Sequence, residues 1–245
     1  MNQPSRSPGR AWLDLARAGN FPSVWSNVLA ALVLAGAGPS GWPRPSLWLA
    51  ATACATLAYA GGATLNDVAD VDFDRRHRPA RAIPSGIVTR RSAAWGGSLL
   101  LGLAVLLFVA ALGASPLWAL AMAAAIVSYD WLHKRWAGSV ILMAGCRAFL
   151  GLTVASIVSP VLPTAVWVWT AALAAYIIAV SLLARAEYRA RTGGAALGRW
   201  VGRLLALMPA VDASALAAVG AWPAAFACAA AVPLGRVAQR LAAST

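Results

Sequence analysis

The sequence predicts an all-α fold, a polytopic membrane bundle of about eight transmembrane helices. Three observations predict it. The first is composition: of 245 residues, 60% are hydrophobic and 11% charged, whereas a soluble domain carries about 25% charged residues to face water. Mean hydropathy is +0.69. The second is that the apolar residues fall in long blocks, such as 93–113 and 163–184. A helix rising about 1.5 Å per residue crosses a hydrocarbon core of roughly 30 Å in about 20 residues, and it satisfies every backbone group within the segment, as lipid demands. The third is the placement of the basic residues along the chain.

In order, the spans lie near 21–39, 47–65, 93–113, 116–133, 138–159, 163–184, 200–216 and 217–237. Pro209, Asp212 and Pro223 leave the division of the last two open. Arg6, Arg10 and Arg17 precede the first span, six arginines lie between 75 and 91, and Lys134 and Arg135 follow the fourth. Five more lie between 185 and 203, and Arg236 and Arg240 close the chain. Arg44 falls on the opposite side and Arg147 inside a span. The positive-inside rule then places both termini and every second loop in the cytoplasm of a multi-pass protein of the cell (inner) membrane. Trp42, Trp48, Trp95, Trp118, Trp136, Trp167 and Trp200 lie near span ends, where an amphipathic ring is favoured.

The net charge of +12 does not point to nucleic acid. The charges are dispersed over loops, where topology and anionic headgroups account for them. Cys54, Cys146 and Cys228 sit in apolar stretches without metal-ligand spacing, so they read as small apolar residues. The polar N-terminus needs no cleaved leader, because the first span can target the chain. The whole of 1–245 reads as a single transmembrane domain with two long polar loops, 65–92 and 185–199. Both lie on the cytoplasmic side, so the polar chemistry gathers at one membrane face.

Four of the eight acidic residues fall in nine positions, Asn66-Asp67-Val-Ala-Asp70-Val-Asp72-Phe-Asp74. On a continuing helix, at about 100° per residue, Asn66, Asp67, Asp70 and Asp74 share one face and Asp72 points almost oppositely. Three carboxylates on one face repel one another unless a cation neutralises them. Hard oxygen ligands in that number suit Mg²⁺, which keeps waters and bridges substrate phosphates. The alternative is a solvated acidic loop balanced by Arg75, Arg76, Arg78 and Arg81. The scarcity of acids elsewhere and the position at a bundle mouth favour a metal–diphosphate site.

The acidic run is followed by Arg78-Pro79-Ala-Arg81-Ala-Ile-Pro84-Ser85-Gly86. NDxxDxxxD followed by RPxRxIPSG, after the second span, resembles the first signature of the UbiA superfamily of intramembrane prenyltransferases. Arg17-Ala-Gly-Asn-Phe-Pro22, leading into Asn27, is similar to that family's first helix, whose Arg and Asn help hold diphosphate. Tyr129-Asp130-Trp-Leu-His-Lys134 is similar to its Tyr…Lys element, and Arg147 stands in a Gly-Cys-Arg stretch found in some members. The resemblance runs from about residue 15 to 200. It implies a helical bundle around a central cavity open to the cytoplasmic side. It also implies Mg²⁺-dependent transfer of a prenyl group from a prenyl diphosphate to a small lipophilic acceptor. Asp67, Asp70 and Asp74 are then the metal-binding and catalytic residues. Arg17, Asn27, Asn66, Arg78, Arg81, Tyr129, Lys134, Arg147 and Arg185 are the substrate-binding candidates.

The family's second motif, commonly DxxxD after span six, is altered. Here the chain reads Arg185-Ala-Glu187-Tyr-Arg-Ala-Arg191. Glu187 stands for the first acid, as a metal and substrate ligand, and Arg191 stands where the second acid would be. A guanidinium there suits direct contact with diphosphate. The altered motif and the Gly-Cys-Arg element resemble the EboC-like subgroup. Two other classes compete: a non-catalytic isoprenoid-lipid binding or transport protein of the same fold, and an ion-coupled transporter. No acid at a bilayer midplane supports the latter. Of the remaining polar residues, His77 and His133 read as edge residues, and Asp130 reads as a partner of Lys134 or an acceptor-activating group. Asp212 reads as a lumenal turn residue or an interhelical hydrogen-bond partner, with the turn preferred.

Overall fold

The structure, a computed structural model, describes residues 7–36, 42–189 and 194–241. Among the described residues all regular structure is helical. Helix α1 (Pro8–Leu15) is short and starts at Ser7, whose hydroxyl accepts from the Arg10 amide at 3.4 Å. Its buried face, Ala11 and Leu15, joins Val71, Ala82, Ile83, Val88 and Ala93 in a small apolar cluster. A 3-10 turn (Ala18–Asn20) leads into α2 (Phe21–Leu34). Helices α3 (Pro45–Ala69) and α4 (Val71–His77) follow, then α5 (Arg90–Leu106), which a π turn over Leu107–Ala111 prolongs. The remainder are α6 (Pro116–Leu132), α7 (Ser139–Ser156), α8 (Thr164–Arg189), α9 (Gly194–Ala218) and α10 (Trp222–Leu241).

Helix α6 packs on α3 and α7, α8 on α7 and α9, and α10 on α9 and α2. Helix α2 also touches α3, α7 and α9, which makes it the central helix, and nearly all of its residues are buried. Helix α5 lies outside, against α3. A Cβ on Gly61 of α3 would stand 2.8 Å from the Gly97 carbonyl oxygen and from the Leu101 nitrogen of α5. Glycine there lets two backbones approach, the usual device of helix pairs in lipid.

Each predicted span falls on one of the eight longer helices. Among the described residues, four are long and apolar enough to cross a bilayer: Arg90–Ala111, Ser139–Ser156, Thr164–Arg185 and Trp200–Ala218. Ala18–Leu34 and Pro116–Leu132 are apolar but shorter. The 14 residues of α2 reach only about 21 Å, which its central, protein-enclosed position tolerates. Outward-facing apolar side chains such as Leu49, Leu99, Leu120, Val168 and Phe226 are exposed, as a lipid-facing surface requires. The last two helices divide at Gly220, whose φ of 78° makes the turn.

Candidate active site

Helix α3 hands over to α4 with little loss of phase. The Asp70 amide donates to the Asn66 carbonyl at 2.9 Å, and the Asp74 amide donates to the Asp70 carbonyl at 2.9 Å. Successive acids therefore keep helical spacing. Asp67 and Asp74 are buried, and the Asp70 side chain is 14% exposed. Asp72 turns outward, 70% exposed, and pairs with Arg75 at 3.2 Å.

Each inward carboxylate meets a cation. Arg17 lies in the left-handed region, at φ 49°, a conformation costly for a residue with a Cβ and often found where function holds it. Its Nη2 donates to Asn66 Oδ1 at 2.8 Å and Asp67 Oδ1 at 3.0 Å. Arg81, from the RPxRxIPSG loop, places Nη1 3.2 Å from Asp67 Oδ1 and 2.9 Å from Asp74 Oδ2. Asp70 Oδ1 contacts Lys134 Nζ at 2.6 Å and His133 Nε2 at 2.9 Å. Burial pushes the Asp70 pKa up, but the contacts with His133 and Lys134 outweigh it and hold it below the usual carboxylate value. Lys134 Nζ also stands 4.0 Å over the Phe73 ring. Arg78, half-buried, caps α4, its amide donating to the Asp74 carbonyl at 2.7 Å.

His133 is the site residue that sequence reasoning passed over. Its adjacency to Lys134 was the available signal. Asp130, read from the sequence as a partner of Lys134 or an acceptor-activating group, accepts through Oδ1 from Asn66 Nδ2 at 3.1 Å, while Lys134 goes to Asp70. The reason is local: α6 ends at Leu132, so Lys134 leaves the helical i,i+4 geometry and turns to Asp70. Tyr129 stacks on His133, ring centroids 5.0 Å apart.

Behind this polar face, α3, α6 and α7 enclose a cavity of about 120 Å³, its wall formed by Met122, Ile126, Met143 and Leu150. Arg17, Asn66, Tyr129, Asp130 and Arg147 supply its polar lining. The Arg147 guanidinium lies 5.0 Å from the Tyr59 ring and donates to Asn27 Oδ1 at 2.7 Å and Ser23 Oγ at 3.0 Å. The other end of Asn27 donates to Asp212 Oδ2 at 2.7 Å. Asp212, in the interior of α9 and fully buried, also accepts from Ser26 Oγ at 2.7 Å and Trp169 Nε1 at 2.8 Å. The preferred turn reading of Asp212 is thereby corrected, because the turn falls eight residues later at Gly220. Asn27 has both amide ends engaged in this network, so the structure uses it to join helices.

Arg185 is drawn elsewhere. It donates to the carbonyls of Ala137, His133 and Trp136 at 2.8, 3.3 and 3.4 Å and to Ser139 Oγ at 2.6 Å. The guanidinium thus closes the α6–α7 loop and does not reach the carboxylates. Glu187 and Arg191 lie outside the residues whose side chains are described.

Among the described residues no three acid, imidazole or thiol groups converge on one point that could hold a metal. The donor set nevertheless fits magnesium, which takes oxygen from one or two carboxylates together with phosphate. Asp67, Asp70 and Asp74 offer such oxygens, and each is neutralised by side chains that a phosphate would itself attract.

A profile of the UbiA prenyltransferase family matches residues 24–244. The chain is 33% identical over 103 residues to digeranylgeranylglyceryl phosphate synthase of Thermococcus gammatolerans, covering 41% of this chain and 36% of that one. It is 32% identical over 153 residues to 4-hydroxybenzoate octaprenyltransferase of Acidovorax ebreus, covering 60% and 49%. The match thus spans about half or less of the length of these curated relatives. Among solved structures, a UbiA homolog from Archaeoglobus fulgidus bound to DMAPP and Mg²⁺ superposes with a TM-score of 0.57 at 16% identity, covering 92% of this chain and 86% of that one. With four helices among the described residues long and apolar enough to cross a bilayer and a family match over nearly its whole length, this integral membrane protein belongs to the UbiA prenyltransferase family.

Proposed function

We propose that the chain transfers a prenyl group from a prenyl diphosphate to a small lipophilic acceptor within the membrane, using Mg²⁺. The whole of 1–245 serves as one UbiA-like domain in the cell membrane, with both termini cytoplasmic. One observation carries this reading: three inward carboxylates on the α3–α4 face are matched by Arg17, Arg81 and Lys134. Such a face can exchange partners, carboxylates taking a metal and cations taking phosphate oxygens. The DMAPP and Mg²⁺ in the Archaeoglobus homolog agree with that exchange.

In this reading Asp67, Asp70 and Asp74 would hold the metal, which neutralises charge on the departing diphosphate when bound. Arg17, Arg81 and Lys134 turn to the diphosphate oxygens, and charge-assisted hydrogen bonds from them strengthen as the leaving group gains charge. Asn66 holds Arg17 in register with Asp67. The apolar wall of the cavity receives the prenyl tail and keeps water from the developing allylic cation. Glu187 and Arg191, in the altered second motif, remain proposed contributors.

The full-length protein in lipid nanodiscs, given radiolabelled dimethylallyl diphosphate, Mg²⁺ and a membrane lipid extract, should release diphosphate. Chelation or Asp70→Asn should stop the release. Tight retention of intact prenyl diphosphate, or its movement across vesicles without cleavage, would replace the enzyme by a carrier of the same fold.

A further inference from the structure

Helix α1 has two faces with different neighbours. Inward, Ala11 and Leu15 pack with Val71, which lies between Asp70 and Asp72, and with Ala82 and Ile83 beside Arg81. Outward, Leu13 is exposed, and at about 100° per residue Trp12 and Arg10 flank it. Trp12 is exposed as well, yet it rests on α5, where a Cβ on Gly96 would stand 3.0 Å from Trp12 Cη2. Gly96 lies about 9 Å along the axis from Arg90, in a helix that with its π turn is long and apolar enough to cross a bilayer. Trp12 therefore sits at the depth where hydrocarbon gives way to headgroups, the level at which an indole is favoured.

Three exposed arginines belong to these two helices. Arg90 and Arg91 open α5. Arg10 is held by Asp14 at 3.4 Å, a surface ion pair of little worth that a phosphate can replace. Arg91 and Trp95, four residues apart, share a face of α5, and exposed Trp95, Leu99 and Leu106 carry that face onward as an apolar stripe. We infer that the outward face of α1 and the first turns of α5 form a docking surface for anionic phospholipid. Arg10, Arg90 and Arg91 take the headgroup phosphates, while Trp12, Leu13 and Trp95 lie at the boundary of the acyl chains. Charge complementarity selects the headgroup, and continuity with the lipid-facing stripe of α5 selects a lipid over a free anion. The inward face gives the docking a consequence. The same helix covers Val71 and the Arg81 loop and leads into Arg17, so a lipid on its outer side braces the support of the carboxylate face. The inference is independent of prenyl transfer.

The test follows backbone amide hydrogen exchange over residues 8–15 of the full chain in two kinds of nanodisc. One is phosphatidylcholine alone, the other equal parts of phosphatidylcholine and phosphatidylglycerol. In the wild type the anionic lipid should slow exchange at least about 10-fold, the effect of a few arginines each attracted to the headgroups. The combined Arg10→Gln, Arg90→Gln and Arg91→Gln variant should keep no more than about threefold, which an anionic leaflet produces by itself through the interfacial proton concentration. Inorganic phosphate added to the phosphatidylcholine discs should leave the wild-type rate unchanged. Thermal unfolding in phosphatidylcholine reports whether the variant is folded, and the wild-type comparison of the two lipids is a test that needs no variant. A smaller slowing in the wild type, a 10-fold slowing that survives the three substitutions, or equal slowing by inorganic phosphate would overturn the inference.

Discussion

Two polar regions lie close together in this bundle, and they are built on opposite plans. Where α3 hands over to α4, Asp67, Asp70 and Asp74 face Arg17, Arg81, His133 and Lys134, charge against charge. Inside the bundle, Asp212 and Arg147 never touch in the bond pattern; Asn27, Ser23, Ser26 and Trp169 stand between or around them and satisfy them by directed hydrogen bonds. The first region can trade partners, because each ion has a replacement of the same sign in metal or phosphate. The second cannot, since its neutral amide and indole donors are fixed on α2 and α8. Exchangeable ion pairs are the machinery of a site. Neutral-linked buried charges hold helices in place.

The largest effect should come from breaking the inner network. Asp212→Ala leaves the Ser26, Asn27 and Trp169 donors without an acceptor and Arg147 without its counter-charge. A loss of about 3–5 kcal/mol is expected for such a buried polar hub. Thermal unfolding in detergent should show it as a collapse of the folded fraction, and an unchanged melting midpoint would erase the distinction between the regions. The outer face should respond in ligand affinity. Arg81→Ala should weaken binding of a prenyl diphosphate analogue roughly 10- to 100-fold, and excess Mg²⁺ should not restore it. Undiminished affinity would show that the arginine serves only to neutralise carboxylates. Arg185→Ala should do the reverse on a smaller scale. It should destabilise the α6–α7 loop by about 1–2 kcal/mol and change analogue affinity less than about threefold; a drop matching that of Arg81→Ala would return Arg185 to the site.

Much of this comparison was legible in the residue order, and the illegible part has a physical pattern. Apolar blocks located all eight longer helices, because lipid imposes a length on them. The α3–α4 face followed from helical phase, which Asn66, Asp70 and Asp74 keep through backbone bonds. Whatever depended on where a helix stops, or on which helices become neighbours, did not follow. The i,i+4 spacing offered Asp130 as one partner for Lys134, and the end of α6 at Leu132 sent Lys134 to Asp70. Asp212 looked like a turn residue because two prolines bracket that stretch, yet Pro209 lies within α9. Its donors come from α2 and α8, residues remote in sequence. Arg185 sat in a motif position, and the loop carbonyls that capture it belong to another helix pair.

The central claim is that the α3–α4 face, and not its outward acid, binds a metal–diphosphate pair. Asp70 and Asp72 are two residues apart, one turned inward and one 70% exposed on an ion pair with Arg75, of a kind worth little at a surface. The decisive measurement is therefore the affinity of a non-hydrolysable prenyl diphosphate analogue, with and without Mg²⁺, for wild type, Asp70→Asn and Asp72→Asn in nanodiscs. Magnesium-dependent binding that Asp70→Asn abolishes and Asp72→Asn leaves within about twofold is the predicted result. Equal loss in both variants, or binding indifferent to magnesium in the wild type, would contradict it.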